Sequence, residues 1–166
     1  MTQFEKNPNP TKDQHFMVDE SMLERIYRKS GIKEGESIVE VGGGAGALTK
    51  YLAKGKNHVV VIEKDSYYAN LLKEKFAEYD NVEVVEGDAL QFDYYSFDRI
   101  VANLPYTITE PFLINLARTG TLGHNEKDSK SSNVKSITLV LSQNSVRKMV
   151  APIQIVEGNS KHCNQE

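Results

Sequence analysis

The sequence predicts a doubly wound α/β domain with a mostly parallel sheet, and two observations carry that prediction. Short runs rich in Val and Ile alternate with amphipathic stretches from about residue 19 to residue 141. Strands that alternate with helices in this way take right-handed crossovers, which makes them parallel and covers both faces of the sheet. A third observation points to a ligand: the first apolar run passes directly into "GGGAGALT".

In chain order, residues 1–18 read as an irregular lead, because "NPNPTKDQ" supplies prolines and polar breakers. Asp19 is placed to cap a helix over "ESMLERIYRKS", where Met22, Leu23, Ile26 and Tyr27 share a face and Gly31 ends it. Then come the strand "SIVEV", the helix "AGALTKYLAKG", the strand "HVVVIE" and the helix "SYYANLLKEKFAEY". They are followed by the strands "VEVVEG" and "DRIVAN", the helix "TEPFLINLAR" and the strand "SITLVL". Between the last helix and the last strand, "TGTLGHNEKDSKSSN" is polar and reads as a mobile loop. Beyond residue 141 the expectation is a short helix over "SQNSVRKMVA", an extended "PIQIV" and a frayed "EGNSKHCNQE". The domain division is therefore a lead over 1–18, the α/β domain over 19–150 and a tail over 151–166.

Composition narrows the functions open to such a domain. At 166 residues the chain has room for one domain and a proper core. Its apolar runs are too short to cross a bilayer, and the first residues carry no apolar core of a secretory signal, so a cytoplasmic protein is expected. One cysteine, Cys163, excludes an internal disulfide, and the scattered histidines suggest no metal. The net charge of -3 disfavours a broad nucleic-acid surface. Residues 1–35 balance and residues 119–166 are slightly basic, so any RNA surface is local.

The ends of successive strands carry the chemistry. Gly42, Gly44 and Gly46 let the backbone turn tightly and approach a ligand, and the following helix offers free N–H groups to a nucleotide-like cofactor. A tight packing turn would use the same residues, and Gly42-x-Gly44-x-x-Ala47 also satisfies a dinucleotide pattern. Glu63 closes the second strand, where a carboxylate can accept both hydrogen bonds of a ribose diol. NAD and S-adenosylmethionine (SAM) both carry that ribose. Asp88, ending the third strand, suits an adenine amino group, with the Ala89 N–H beside it; a plain turn also favours Gly87-Asp88.

After the fourth strand stands "NLPY". An exocyclic amine on a nucleobase is a poor nucleophile, because its lone pair is delocalised into the ring. If the Asn103 side-chain oxygen and the Leu104 carbonyl each accept one amine hydrogen, the nitrogen is pushed toward a tetrahedral shape with its lone pair free. Pro105 has no N–H and a fixed φ, which holds the turn. Tyr106 offers a flat face for a base taken out of its stack. Catalysis would then be mainly positioning, with no strong general base.

Together, "DQHFMVD", "VEVGGGAGALT", "VIEKD", "EGDAL" and "NLPYTITEPFL" resemble the rRNA adenine-N6 dimethyltransferase family of the KsgA and Erm type, over residues 12–150 and in family order. The resemblance implies a Rossmann-like SAM-dependent methyltransferase fold, SAM as methyl donor with S-adenosylhomocysteine as product, and ribosomal RNA or an assembling ribosomal subunit as partner. It places Gln14, His15, Phe16 and Met17 in a flap over SAM. Gly42, Gly44 and Gly46 fall at the methionine end, Glu63 at the ribose, and Asp88 and Ala89 at the adenine, with Lys64 a further cofactor-binding residue. Asn103, Leu104, Pro105 and Tyr106 hold the target adenine, Asn103 also bordering the donor.

The chain departs from the family pattern after its fifth strand. It has "SQNSVRKMV" where a Gln-Lys-Glu type segment is usual, and it stops before the second half of the base sandwich and the helical RNA-binding domain. That leaves "SITLVL" at a bare sheet edge, to be covered by "PIQIV" or by a second copy in a homodimer. Two competing readings follow: a SAM-binding core without turnover, and an NAD-dependent Rossmann oxidoreductase supported only by the glycine turn and Glu63.

Overall fold

Six short strands make a parallel sheet in the order β3-β2-β1-β4-β5-β6. The computed structural model describes residues 19–104, 106–121, 132–141 and 154–157, with Tyr106, Leu141 and 154–157 described by backbone alone. The elements are α1 (Glu20–Lys29), β1 (Ser37–Val41), α2 (Ala47–Leu52), β2 (His58–Glu63), α3 (Ser66–Lys75), β3 (Val82–Glu86), β4 (Arg99–Ala102), α4 (Tyr106–Arg118), β5 (Ser136–Leu141) and β6 (Gln154–Glu157). The expected lead, the flap residues Gln14, His15, Phe16 and Met17, Pro105, the "SQNSVRKMVA" helix and Cys163 lie outside the described residues.

Local chemistry sets the boundaries. Asp19 accepts the Ser21 N–H at 2.9 Å and Asp65 accepts the Tyr67 N–H at 3.0 Å, so both helices start on a carboxylate that satisfies their free donors. Gly31, at φ 63°, terminates α1 in the left-handed region where only glycine sits without strain. α4 begins at Tyr106, three residues before the expected start, and contains Pro111. The proline removes only the bond its N–H would make to the Thr107 carbonyl, so the first turn survives in front of it.

Alternate residues of the strands feed two cores, one on each face. Ile38, Val59, Val61 and Val101 pack with Leu23, Ile26, Leu52 and Leu72 of α1, α2 and α3. Val39, Ile62, Ile100 and Leu139 pack with Tyr94, Phe97 and, from α4, Phe112 and Leu116. β3 is the half-exposed edge, and its outward Glu83 and Glu86 discourage pairing with another chain.

The other edge is closed by one of its two expected covers. β6 runs parallel to β5 with Leu139 opposite Ile155, so part of the expected tail belongs to the sheet. The edge left to "PIQIV" or to a second copy is taken by this chain, which removes the physical reason for a homodimer through β5.

Candidate functional site

The crossover from β3-β2-β1 to β4-β5-β6 reverses direction between β1 and β4, and ligands of open α/β sheets bind outside the carboxyl ends of strands at such a switch point. Here those ends stand in a row. The Gly42 N–H donates to the Ile62 carbonyl at 2.8 Å, and the Gly87 N–H to the Glu63 carbonyl at 2.9 Å, which extends the ladder past β1 and β3. On the β4 side, a Cβ placed on Gly42 would lie 3.9 Å from the Asn103 carbonyl oxygen and 3.5 Å from Leu104 Cδ2. The glycine turn, Glu63, Asp88 and Asn103-Leu104 are thus brought to one edge of the sheet. Tyr106 begins α4 immediately beyond it.

Gly42, Gly44 and Gly46 all hold positive φ, at 79°, 51° and 78°. They do not share one role. A Cβ on Gly46 would come within 2.7 Å of Phe76 Cε2 and 3.0 Å of Leu72 Cδ2, so Gly46 backs onto α3 and serves packing. The tightest approach belongs to Gly43, where a Cβ would meet Val61 Cγ1 at 2.4 Å and Leu72 Cδ1 at 2.9 Å. From α3, Lys75 donates its Nζ to the Ala45 carbonyl at 2.7 Å, fixing the turn from behind.

Glu63 is buried, and each of its carboxylate oxygens accepts one backbone N–H: Oε2 from Gly44 at 2.9 Å, Oε1 from Asp65 at 2.9 Å. It therefore shapes the glycine turn itself, and each oxygen retains a lone pair for a further donor. Asp88 caps the 3-10 turn Ala89–Gln91 through Oδ1, which accepts the Leu90 N–H at 3.0 Å. Its Oδ2 accepts from Lys64 Nζ at 2.8 Å. The Lys64 ammonium and then the Leu90 N–H hold the Asp88 carboxyl below its ordinary range. Lys64, mostly exposed, meets Asp88 in this arrangement.

Sequence reading passed over one residue that the fold makes conspicuous. Glu40 is 1% exposed in the middle of the sheet, and burial, reinforced by the Glu63 charge, pushes its carboxyl up to about 8. The Thr49 hydroxyl pulls the other way, yet neither Glu40 Oε2 nor Thr49 Oγ1 has a hydrogen-bond partner among the described residues. The available signal was an acid inside the otherwise apolar strand "SIVEV", two residues before the glycine turn. Among the described residues no group of His, Cys, Asp and Glu is arranged to hold a metal.

The chain has clear relatives. Residues 5–163 match the family model described as ribosomal RNA adenine dimethylase. A probable ribosomal RNA small subunit methyltransferase A of Methanosarcina acetivorans is 38% identical over 108 residues, covering 65% of this chain and 40% of that protein. The crystal structure of a dimethyladenosine transferase from Plasmodium falciparum superposes with a TM-score of 0.57 at 32% identity, over 63% of this chain and 38% of the other. That of the 23S rRNA methyltransferase ErmE gives 0.61 at 25% identity, over 75% of this chain and 47% of the other. This chain thus spans about two fifths of the length of such a curated relative. The family match along nearly the whole sequence disfavours the nicotinamide reading, and the chain belongs to the ribosomal RNA adenine dimethylase family.

Proposed function

We propose that this chain carries the donor site and the acceptor loop of a SAM-dependent methyltransferase acting on N6 of adenosine in ribosomal RNA. The observation that carries the reading is the meeting of the glycine turn with Asn103-Leu104 at the β1/β4 switch point. The residues present fit the donor. Gly42 and Gly44 hold the backbone in a conformation open to close approach, Glu63 keeps acceptor capacity for a diol, and Glu40 leaves a buried acceptor unpartnered at the foot of the turn. A cofactor with a cationic end, a ribose and an adenine suits that set. When bound, SAM supplies an electrophilic methyl on sulfur.

The remaining chemistry belongs to the chain. Asn103 Oδ1 and the Leu104 carbonyl would accept the two hydrogens of the target amine and hold its lone pair in line for transfer, while Asp88 and Ala89 would take the donor's adenine. Lys64 would act on that adenine indirectly, by holding Asp88. Gln14, His15, Phe16 and Met17 would close over the donor, and Pro105 and Tyr106 would complete the acceptor turn. The partner would be ribosomal RNA or an assembling subunit, met in the cytoplasm; no helix among the described residues is long and apolar enough to cross a membrane.

One observation favours a second reading. Because the chain spans 40% of the Methanosarcina relative, the site could bind SAM without turning over. Transfer of labelled methyl from SAM to small- and large-subunit ribosomal RNA and to assembling particles separates the two. Label recovered as N6-methylated adenosine, and lost in Asn103→Ala while SAM affinity is kept, supports catalysis by this chain. SAM binding with no label supports the binding core, and absence of SAM binding defeats both.

A further inference from the structure

The Ala89–Gln91 turn is held more firmly than a surface turn needs. The peptide plane between Ala89 and Leu90 is fixed at both ends: Tyr94 donates its hydroxyl to the Ala89 carbonyl at 2.8 Å, and the Leu90 N–H donates to Asp88 Oδ1 at 3.0 Å. The next plane is fixed in the same way. Asn115 donates its Nδ2 to the Leu90 carbonyl at 3.0 Å, and the Gln91 N–H donates to the Asp88 carbonyl at 2.9 Å. Neither peptide can rotate without breaking two hydrogen bonds, so the Asp88 carboxylate that caps this turn is fixed with it.

The clamps come from the side of the molecule that carries the acceptor loop. Asn115 lies on α4, the helix that begins just after Asn103-Leu104. Tyr94 is 2% exposed and meets Phe112 of α4 edge to face at 5.7 Å, in the core that also holds Leu104. Nine helical steps, about 13.5 Å at 1.5 Å per residue, connect the start of α4 to Asn115. α4 is thus a strut between the two halves of the site.

We propose that Asn115 and Tyr94 are positioning residues that aim Asp88 at the 6-amino group of the donor's purine, and so set the preference of this chain for an adenine-bearing cofactor. The inference rests on the reading of Asp88 given above. A fixed acceptor aligned with an amine discriminates against a carbonyl at the same ring position, because the carbonyl leaves two acceptors facing each other. Freed from its clamps, the turn can rotate and that discrimination fades.

The test is calorimetric titration of the unaltered chain, Tyr94→Phe and Asn115→Ala with S-adenosylhomocysteine and with its hypoxanthine counterpart, S-inosylhomocysteine. Tyr94→Phe keeps the ring against Phe112 and removes only the hydroxyl, so it guards against a variant that does not fold. The unaltered chain is expected to prefer the adenine ligand by about tenfold or more, the value of one well-placed hydrogen bond. In both variants that ratio should shrink several-fold, with affinity for the hypoxanthine ligand nearly unchanged. Two affinities that fall together at constant ratio would overturn the proposal and leave the clamps a purely structural role. If the unaltered chain shows no preference, the adenine reading of Asp88 fails first and takes this inference with it.

Discussion

Two glutamates four residues apart, at the two ends of β1, are treated in opposite ways. Glu36, at the entry, is buried but saturated: Arg99 reaches it with two nitrogens at 2.8 and 3.0 Å, the Lys33 N–H at 2.8 Å and Lys135 at 3.1 Å. Its carboxyl is held down to about 2, chiefly by the Arg99 guanidinium. Arg99 also donates to Ser136 Oγ, and Lys135 bridges on to Asp98, so the network sews β1, β4 and β5 together. Glu40, equally buried, lacks such partners and is pushed up to about 8. A domain that satisfies one carboxylate so fully and leaves another so bare has a closed end built for stability and an open end built to receive something.

The closed end is the place to break that contrast. Removing the guanidinium in Arg99→Ala leaves Glu36 buried with Lys135 and one backbone donor, and also strips the hydrogen bond to Ser136. The expected loss is about 3 to 5 kcal/mol in urea unfolding, the range for breaking a buried ion pair from one side. A loss under about 1 kcal/mol would mean that the paired end is no stiffer than an exposed one.

The open end is expected to move the other way. Glu40 has a folded pKa raised above its unfolded value, so its contribution to stability is fully present below about 4.5 and is lost as pH rises toward about 8. Each pH unit inside that window costs about 1.4 kcal/mol. Glu36 has a depressed pKa, so its contribution is present above about 4.5 and is lost as pH falls toward about 2. Glu40→Gln, which mimics the protonated acid, should therefore match the unaltered chain near pH 4 and exceed it by a few kcal/mol at pH 8. Parallel stability curves from pH 4 to pH 8 would show that Glu40 is ionised and paired.

These contrasts also explain what could be read in advance. Strands β1, β2 and β5 were visible to the residue, because Val- and Ile-rich runs bounded by polar or glycine residues admit few other readings. The cap at Asp19 and the stop at Gly31 act within a few residues of themselves, so local chemistry suffices to place them. The order of the strand ends was legible for the same reason, as each sits where a strand must stop. What escaped depends on distant neighbours. Glu40 looks like any strand acid until the sheet closes over it, and Gly43 looks like a spare glycine until Val61 and Leu72 arrive. The choice of "PIQIV" over a second copy as the cover of β5, and its register there, could not be read in advance, since pairing lies between strands and not within one. α4 extends further back than expected, to Tyr106, because Pro111 removes only the bond to the Thr107 carbonyl and leaves the turn in front of it intact.

The mildest prediction sharpens the contrast at the open end. Lys64 and Asp88 form a 2.8 Å ion pair there, but the lysine side chain is 76% exposed, so water and salt screen the attraction. Lys64→Ala should change unfolding free energy by less than about 0.5 kcal/mol, within the usual range for an exposed pair. Asp88 would still be held through the Leu90 N–H, and its turn through Tyr94 and Asn115, so affinity for S-adenosylhomocysteine should change by less than about threefold. The same substitution at a saturated site would behave quite differently, because each partner there excludes water from the others. A loss above about 1 kcal/mol, insensitive to added salt, would place Lys64-Asp88 in a closed network like that of Glu36 and erase the distinction between the two ends of the sheet.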